Sequence, residues 1–345
     1  VMDLISISKF SHIDLRSEHE FHKSTIPNSK NIPILNDIEF EAVGKKYKEN
    51  GQEAAIDLGV KIVSDKLKEK RISKWKKHIS LNEGCSIFCF RGGLRSKIAQ
   101  EWLSENNIIV ERINGGYKKV RNKILEKFQN DEIYSKSWMI LGGLTGSGKT
   151  ILLNRFPHSI DIEGLANHRG SAFGRTNTIQ GSCANFENIL LFQYLNNNAS
   201  TILLEDESRT IGKATLPNNW YSKMQTSGLV VLDIQMEERI ENIFEEYIEK
   251  ELKNLDNEIL LKDKYFTALE KIKKRLGDEL YKKIYTLMEN GFKNNSVKDH
   301  KEWIYQLLHN YYDPMYNHKL KKRKEYIVHR GDFSSCQDYI SSNIR

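Results

Sequence analysis

Ser86-Ile87-Phe88-Cys89-Phe90-Arg91-Gly92-Gly93-Leu94-Arg95-Ser96 runs from an apolar strand through a cysteine into a loop and then a helix. Ile87 and Phe88 have the character of a short buried strand. Gly92 and Gly93 free the backbone to turn its N–H groups inward, and Ser96 is placed to cap a helix continuing through Ala99, Trp102 and Leu103. A sulfur at the strand end would face these N–H groups, a helix N-terminus and the guanidinium groups of Arg91 and Arg95, all of which favour negative charge. The pattern predicts Cys89, Arg91 and Arg95 as a catalytic set that cradles an anion carried on, or attacked by, the sulfur. A buried cysteine before an ordinary glycine turn is the plain alternative.

Around this stretch the chain alternates strands and helices. Ile13-Asp14-Leu15-Arg16 predicts a strand leading into a helix over 18–21, and Ile26-Pro27 and Ile32-Pro33 punctuate an extended segment. A helical period over 39–63, broken at Asn50-Gly51, predicts two helices joined by a turn. Further on come a short strand over 108–110, the turn Asn114-Gly115-Gly116-Tyr117 and a helix over 120–128. The alternation implies a parallel sheet with helices on its faces.

In the second half, the apolar run Trp138-Met139-Ile140-Leu141 is followed by Gly143-Leu144-Thr145-Gly146-Ser147-Gly148-Lys149-Thr150. This is the G-x4-G-K-[ST] phosphate loop in its proper setting, with a strand before and a helix after. Gly143, Gly146, Ser147 and Gly148 let backbone N–H groups wrap a di- or triphosphate; Lys149 neutralises the outer phosphate, and the Thr150 hydroxyl is a candidate Mg²⁺ ligand. A second strand, Thr201-Ile202-Leu203-Leu204, ends in Glu205-Asp206-Glu207, where Glu205 and Asp206 are further candidate Mg²⁺ ligands. Between them, Asn167-His168-Arg169-Gly170-Ser171-Ala172-Phe173-Gly174 reads as a functional loop, with His168 and Arg169 as candidates to meet a phosphate or a base. Leu229-Val230-Val231-Leu232 predicts a third strand, and the remainder reads as helices. There Tyr265, Tyr281, Tyr311, Tyr312 and Tyr316 interleave with lysines, including Lys319 and Lys321. Such a face could grip RNA; amphipathic helices with core aromatics would look the same.

With 345 residues the chain should form two domains, each able to bury its own core. Its four cysteines lack disulfide-scaffold spacing, which fits a reducing compartment. No signal peptide is expected at the N-terminus and no apolar run is long enough for a membrane span, so the expectation is a cytoplasmic protein without membrane partners. The net charge of +7 comes from local clusters rather than a basic tail, and it permits an anionic partner without requiring one.

Asp14-x-Arg16-x3-Glu20-Phe21, Ile26-Pro27, Asn31-Ile32-Pro33, the Cys89 loop and Gly115-Gly116-Tyr117 together resemble a rhodanese domain over about residues 1–128. The loop, Cys89-x5-Arg95, is one residue longer than in the usual sulfurtransferases and resembles that of rhodanese-derived phosphatases, whose wider loop takes a phosphate-sized anion. Four further motifs extend the likeness over nearly the whole chain: Val43-Gly44-x2-Tyr47-Lys48 with Gly51-x2-Ala54-Ala55, the loop over 167–174, Glu205-x-Glu207-Ser208-Arg209-x-Ile211-Gly212, and Tyr312-Asp313-Pro314-x-Tyr316. Together these resemble the tRNA 2-selenouridine synthase family. Ser24-Thr25 departs from the Gly-His that usually precedes Ile-Pro.

The resemblance implies an α/β chain with a rhodanese-like parallel-sheet domain over 1–130, a P-loop NTPase-like α/β domain over 131–235, and a helical C-terminal extension over 236–345 as a candidate tRNA-binding surface. It implies a selenotransferase with tRNA geranyltransferase activity, which replaces sulfur by selenium at C2 of the wobble 2-thiouridine, U34, of lysine, glutamate and glutamine tRNAs. Selenophosphate is the implied selenium donor, and S-geranylation from geranyl diphosphate the implied route. On this reading Cys89 accepts selenium, the phosphate loop holds the diphosphate, no cofactor beyond Mg²⁺ is expected, and a selenophosphate-supplying enzyme is an expected partner. A rhodanese-type phosphatase or sulfurtransferase and a P-loop ATP-dependent RNA kinase are the alternatives.

Overall fold

A computed structural model describes residues 3–176, 178–254 and 258–344. The chain is α/β and divides into two compact units, one of residues 1–133 and 181–197, the other of 134–180 and 198–345.

The first unit is built on a parallel four-stranded sheet of β1 (His12–Asp14), β2 (Ser29–Asn31), β3 (Ser86–Phe88) and β4 (Glu111–Arg112), in the order β2-β1-β3-β4. Strands β1 and β3 are buried along their whole length, as expected of a parallel sheet covered on both faces. Trp75 anchors the core: it is fully buried, stacks on Trp102 and donates its indole N–H to the carbonyl of Ile32 at 2.9 Å. Trp75 lies on a helix, Asp65–Leu81, that the sequence pattern did not single out. The helical stretch Asp37–Ile62 is, as expected, two helical segments that meet at Gly51, whose backbone leaves the helical region at φ +83° as glycine allows. The edge strand falls at Glu111–Arg112 rather than 108–110, because the Gln100 side chain takes the Val110 carbonyl at 2.8 Å and the ladder to β3 begins one residue later.

The helix Cys183–Asn196 belongs to this unit although it lies far along the sequence. Its Asn188 donates to the Thr25 carbonyl at 2.8 Å and accepts from Arg121 at 2.8 Å, while Glu187 forms an ion pair with Arg121.

The second unit carries a parallel five-stranded sheet of β5 (Ser137–Gly143), β6 (Ser159–Ile160), β7 (Thr201–Glu205), then, past the short hairpin β8 (Thr210–Ile211) and β9 (Ala214–Thr215), β10 (Gly228–Leu232) and β11 (Ile327–Gly331), in the order β11-β10-β5-β7-β6. The three strands expected from sequence are its centre. Strand β11 corrects the reading of everything after residue 235 as helix: the chain returns to the sheet at Ile327 and pairs with β10, and the helix Phe333–Asn343 then packs on the sheet, burying Cys336 and Ile340 against Leu141 and Val230. Its Ile-Val-His-Arg-Gly sequence has a half-exposed pattern that hides it among polar neighbours. The intervening helices close over a separate apolar cluster that includes Tyr265, Trp303 and Tyr311. Tyr265 and Tyr311 are therefore core aromatics, not stacking platforms.

In the first unit, Asp14 and Arg16 form a buried ion pair at 2.6 Å. Removing one partner strands the other charge in the interior. Asp14→Ala should lower unfolding stability by about 3–5 kcal/mol, read from urea denaturation, if the pair holds this unit together.

Candidate functional sites

Cys89 sits one residue beyond β3 and is 3% exposed. Its Sγ lies 3.4 Å from Ser96 Oγ. Ser96 is not the helix cap: the helix begins at Leu94 with Gly93 as its cap, and Ser96, one turn in, donates to the Gly93 carbonyl at 3.1 Å. The serine that the sequence suggested for backbone capping thus stands beside the sulfur, where its oxygen accepts from the Cys89 thiol while its own proton goes to the Gly93 carbonyl.

The loop is fixed from outside by the Gly115-Gly116 turn. Tyr117 and Lys118 donate their N–H groups to the carbonyls of Cys89 and Phe90 at 3.0 and 2.9 Å. A Cβ at Gly116 would lie 2.1 Å from the Cys89 oxygen, and the residue has φ +58°, so only glycine fits. Asp14 and Arg16 brace the other side: Arg16 Nη2 donates to the Ser24 carbonyl at 2.7 Å, and its guanidinium lies 4.2 Å from the Tyr117 ring. Ser24 and Thr25, the departure from the usual motif, belong to this brace, with Thr25 Oγ1 donating to Asp14 at 2.8 Å and Ser24 Oγ hydrogen-bonded to the Tyr117 hydroxyl. Arg91 is exposed. Arg95 forms an ion pair with Glu20 at 2.5 Å and lies 4.8 Å from the Phe40 ring centroid, so its charge already has a carboxylate partner. Cys85 packs in the sheet, and burial pushes its thiol up to about 11.

In the second unit the phosphate loop joins β5 to the helix Lys149–Leu153. Gly146 and Gly148 take φ of +82° and +80°. The Lys149 ammonium donates to the Gly143 carbonyl at 3.0 Å, folding back over the loop. The loop is held from the C-terminal helices. Arg239, fully buried, donates from Nε to the Thr145 carbonyl at 2.9 Å and through both terminal nitrogens to Asp313, while Asn242 donates to the Gly146 carbonyl at 2.9 Å. The Tyr316 hydroxyl accepts the Gly143 N–H at 2.6 Å. The motif Tyr312-Asp313-Pro314-x-Tyr316 therefore supports the phosphate loop, and Tyr316 is occupied there rather than free to stack on a base.

A cavity of about 510 Å³ opens over the loop, lined among others by Lys149, Thr150, Glu163, Arg169, Glu207 and Lys319. Glu163, Glu205 and Glu207 bring carboxylate oxygens within 4.8 Å of one another. Glu205 ends β7, is fully buried, accepts the Glu163 N–H at 2.7 Å through one oxygen, and leaves the other without a partner among the described residues. Burial and then the Glu207 charge push Glu163 up to about 9; burial, with Glu163 and Glu207, raises Glu205 well above the carboxylate range; burial raises Glu207 against the pull of Lys149. Three carboxylates crowded round an unpartnered oxygen suit a hard divalent cation.

Of the metal ligands expected from sequence, Glu205 is in this cluster and Thr150 lines the cavity, whereas Asp206 gives its carboxylate to buried Arg323. Glu163 and Glu207 were not among the candidates: Glu163 follows the unrecognised strand β6, and Glu207 was quoted only inside a motif. Arg169 lines the cavity and is engaged by Glu246 at 3.1 Å and Glu251 at 3.3 Å. His168 is half-buried beside the hairpin turn at Gly212 and its Nδ1 has no partner among the described residues.

A glycine loop between a parallel strand and a helix, beside a strand that ends in a carboxylate, is the construction of P-loop phosphate-binding proteins. The tRNA 2-selenouridine synthase AAA domain matches residues 136–345. Proteins named tRNA 2-selenouridine synthase are 39% identical in Sulfurovum sp. (95% of this chain, 93% of the relative), 40% in Marinobacter nauticus (92% and 90%) and 36% in Shewanella frigidimarina (96% and 94%). The chain belongs to the tRNA 2-selenouridine synthase family. A solved N-terminal domain from Clostridium difficile 630, 36% identical, covers 33% of this chain and 88% of that one, with a TM-score of 0.31 that is too low to bear on the fold.

Because Glu163 holds its proton up to about 9 against an ordinary 4.5, the folded state binds more protons than the unfolded one between those values, and stability falls as pH rises through that window. Glu163→Gln removes this residue's share of the dependence, while Glu205 and Glu207 keep theirs. Thermal denaturation with chelator at about pH 5 and about pH 8 should show a larger drop in Tm for the wild type than for the variant. Equal drops would exclude Glu163 as a source.

Proposed function

We propose that this chain is a tRNA 2-selenouridine synthase that exchanges sulfur for selenium at the wobble 2-thiouridine. What supports the reading most is membership of that family over nearly the full length, since relatives and chain cover more than nine-tenths of each other. The further detail, with the first unit as a rhodanese-like domain and geranyl diphosphate and selenophosphate as substrates, rests on the sequence resemblance and on the chemistry of the two sites.

In the first step the C2 sulfur of the base attacks the allylic C1 of geranyl diphosphate. The C–S bond forms as the C–O bond breaks, diphosphate departs and the N3 proton passes to solvent. The backbone N–H groups of the Gly143–Thr150 loop and the Lys149 ammonium take up the leaving charge, and Glu163, Glu205 and Glu207 with Thr150 would hold Mg²⁺, which neutralises diphosphate when bound. Alkylation turns a poor leaving group into a better one.

The second step belongs to Cys89. Direct transfer of selenium to the thiolate would leave phosphorus reduced to phosphite, so the electron count favours attack at phosphorus. The S–P bond forms, the P–Se bond breaks and hydrogen selenide departs. It adds at C2, its proton moves to N3, geranylthiolate leaves, and water returns the phosphocysteine to thiol and phosphate. Arg91 and the loop N–H groups stabilise the phosphate charge. The exposed lysines 319, 321, 322 and 324 would meet tRNA phosphates.

Two substitutions divide the steps. Lys149→Ala should lower geranylation at least about 100-fold, and Cys89→Ser should abolish selenation while geranylated tRNA accumulates, both read by mass spectrometry of the wobble nucleoside. Full selenation by Cys89→Ser would remove the cysteine from the chemistry.

A further inference from the structure

The helix Asp65–Leu81 buries Ile72 and Trp75 in the core of the first unit and turns its other side to solvent. With 3.6 residues per turn, each residue advances by about 100°, which places Lys66, Lys70, Lys74 and Lys77 in one arc of roughly 80°, away from Trp75. All four are exposed. Between Lys66 and Lys77 no other residue falls in that arc, and the acids of the helix, Asp65 and Glu69, lie to one side of it. The basic residues on the flanks are paired: Lys68 with Glu105 at 3.0 Å and Arg71 with Glu39 at 2.5 Å. None of the four lysines in the arc has a carboxylate partner among the described residues. The patch continues beyond the helix. Burial and then the charge of Lys30, exposed on the edge strand β2, push His78 below its ordinary value, which sets a fifth cation near the arc.

A helix face that only meets water usually mixes its signs, because a glutamate four residues before a lysine supports the helix and two like charges at that spacing oppose it. Lys66 with Lys70 and Lys70 with Lys74 are two such opposing pairs. The row therefore works against its own helix until an anion lies along it. Four residues of helix rise about 6 Å, comparable to the separation of successive phosphates on an RNA strand, so the row suits a linear polyanion better than a single small anion. The apolar side of the helix is committed to the core, so the helix cannot lie in a lipid surface. We propose that Lys66, Lys70, Lys74 and Lys77 form a docking strip for the sugar–phosphate backbone of tRNA on the first unit. The inference rests on the reading of the chain as a tRNA-modifying enzyme, and it adds a contact surface outside the C-terminal helices. Contacts of this kind position the RNA without reading its sequence.

The test is the salt dependence of tRNA binding by the full-length protein, measured by fluorescence anisotropy with 2-thiolated and unmodified tRNA. Each lost phosphate contact lowers the slope of log K against log salt by about 0.7–0.9, so the triple variant Lys70→Gln, Lys74→Gln, Lys77→Gln should lower it by about 2–3 and weaken binding at least about tenfold, equally for both tRNAs. A control with the same loss of charge at scattered exposed lysines of the same unit, Lys45→Gln, Lys61→Gln, Lys127→Gln, should keep the wild-type slope. Circular dichroism confirms the fold of each variant. An unchanged slope in the first triple variant, or an equal fall in the control, would overturn the strip while leaving the functional reading in place. No binding of tRNA by the wild type would overturn both.

Discussion

The second unit depends on the buried guanidinium of Arg239. A phosphate loop must hold its N–H groups toward a ligand, which leaves its own carbonyls pointing back into the protein, where unpaired acceptors are costly. Arg239 and Asn242 satisfy two of these carbonyls from one helix, and Asp313 neutralises the arginine from another. The helices after the third expected strand are therefore structural parts of the phosphate site. Two π-helical turns, Glu245–Glu249 and Leu308–Tyr312, fall where these helices reach the cavity, each contributing residues to its wall.

The first unit solves a similar problem with the same chemistry. Asp14 and Arg16 are buried together, and their remaining hydrogen-bonding capacity is spent on Ser24, Thr25 and the backbone beside the Cys89 loop. In both units an arginine–carboxylate pair lies behind the loop that meets the ligand. A buried pair contributes little net stability, but it fixes geometry because any other arrangement leaves a charge unpaired.

Much of this was legible in the sequence, for identifiable reasons. The phosphate loop was read correctly because glycine spacing, lysine and flanking strand are all local signals, and so were β5, β7 and β10, whose apolar runs are long enough to stand out. The bend at Gly51 was visible as Asn50-Gly51. What escaped depends on contacts distant in sequence. Strand β11 is half-exposed and is a strand only because β10 lies beside it. Glu163 and Glu207 join Glu205 only after two loops fold, and the aromatic residues that suggested an RNA-stacking face, Tyr265 and Tyr311, turn inward because the helices pack around them. Ser96 was noticed for the wrong function, since a serine near a helix start is usually a cap and the glycine before it had already taken that position.

The helix Cys183–Asn196 carries a consequence for how the chain is made. It completes the first unit, yet it is encoded after the phosphate loop and the first strands of the second. During synthesis the Asn188 and Glu187 partners of Thr25 and Arg121 are made only about 75 residues after Arg112, the end of the first unit's sheet. The two units are thus interleaved in time as well as in sequence: no single cut in the gene separates them, and a fragment ending near residue 133 would lack the wall against which Arg121 is neutralised.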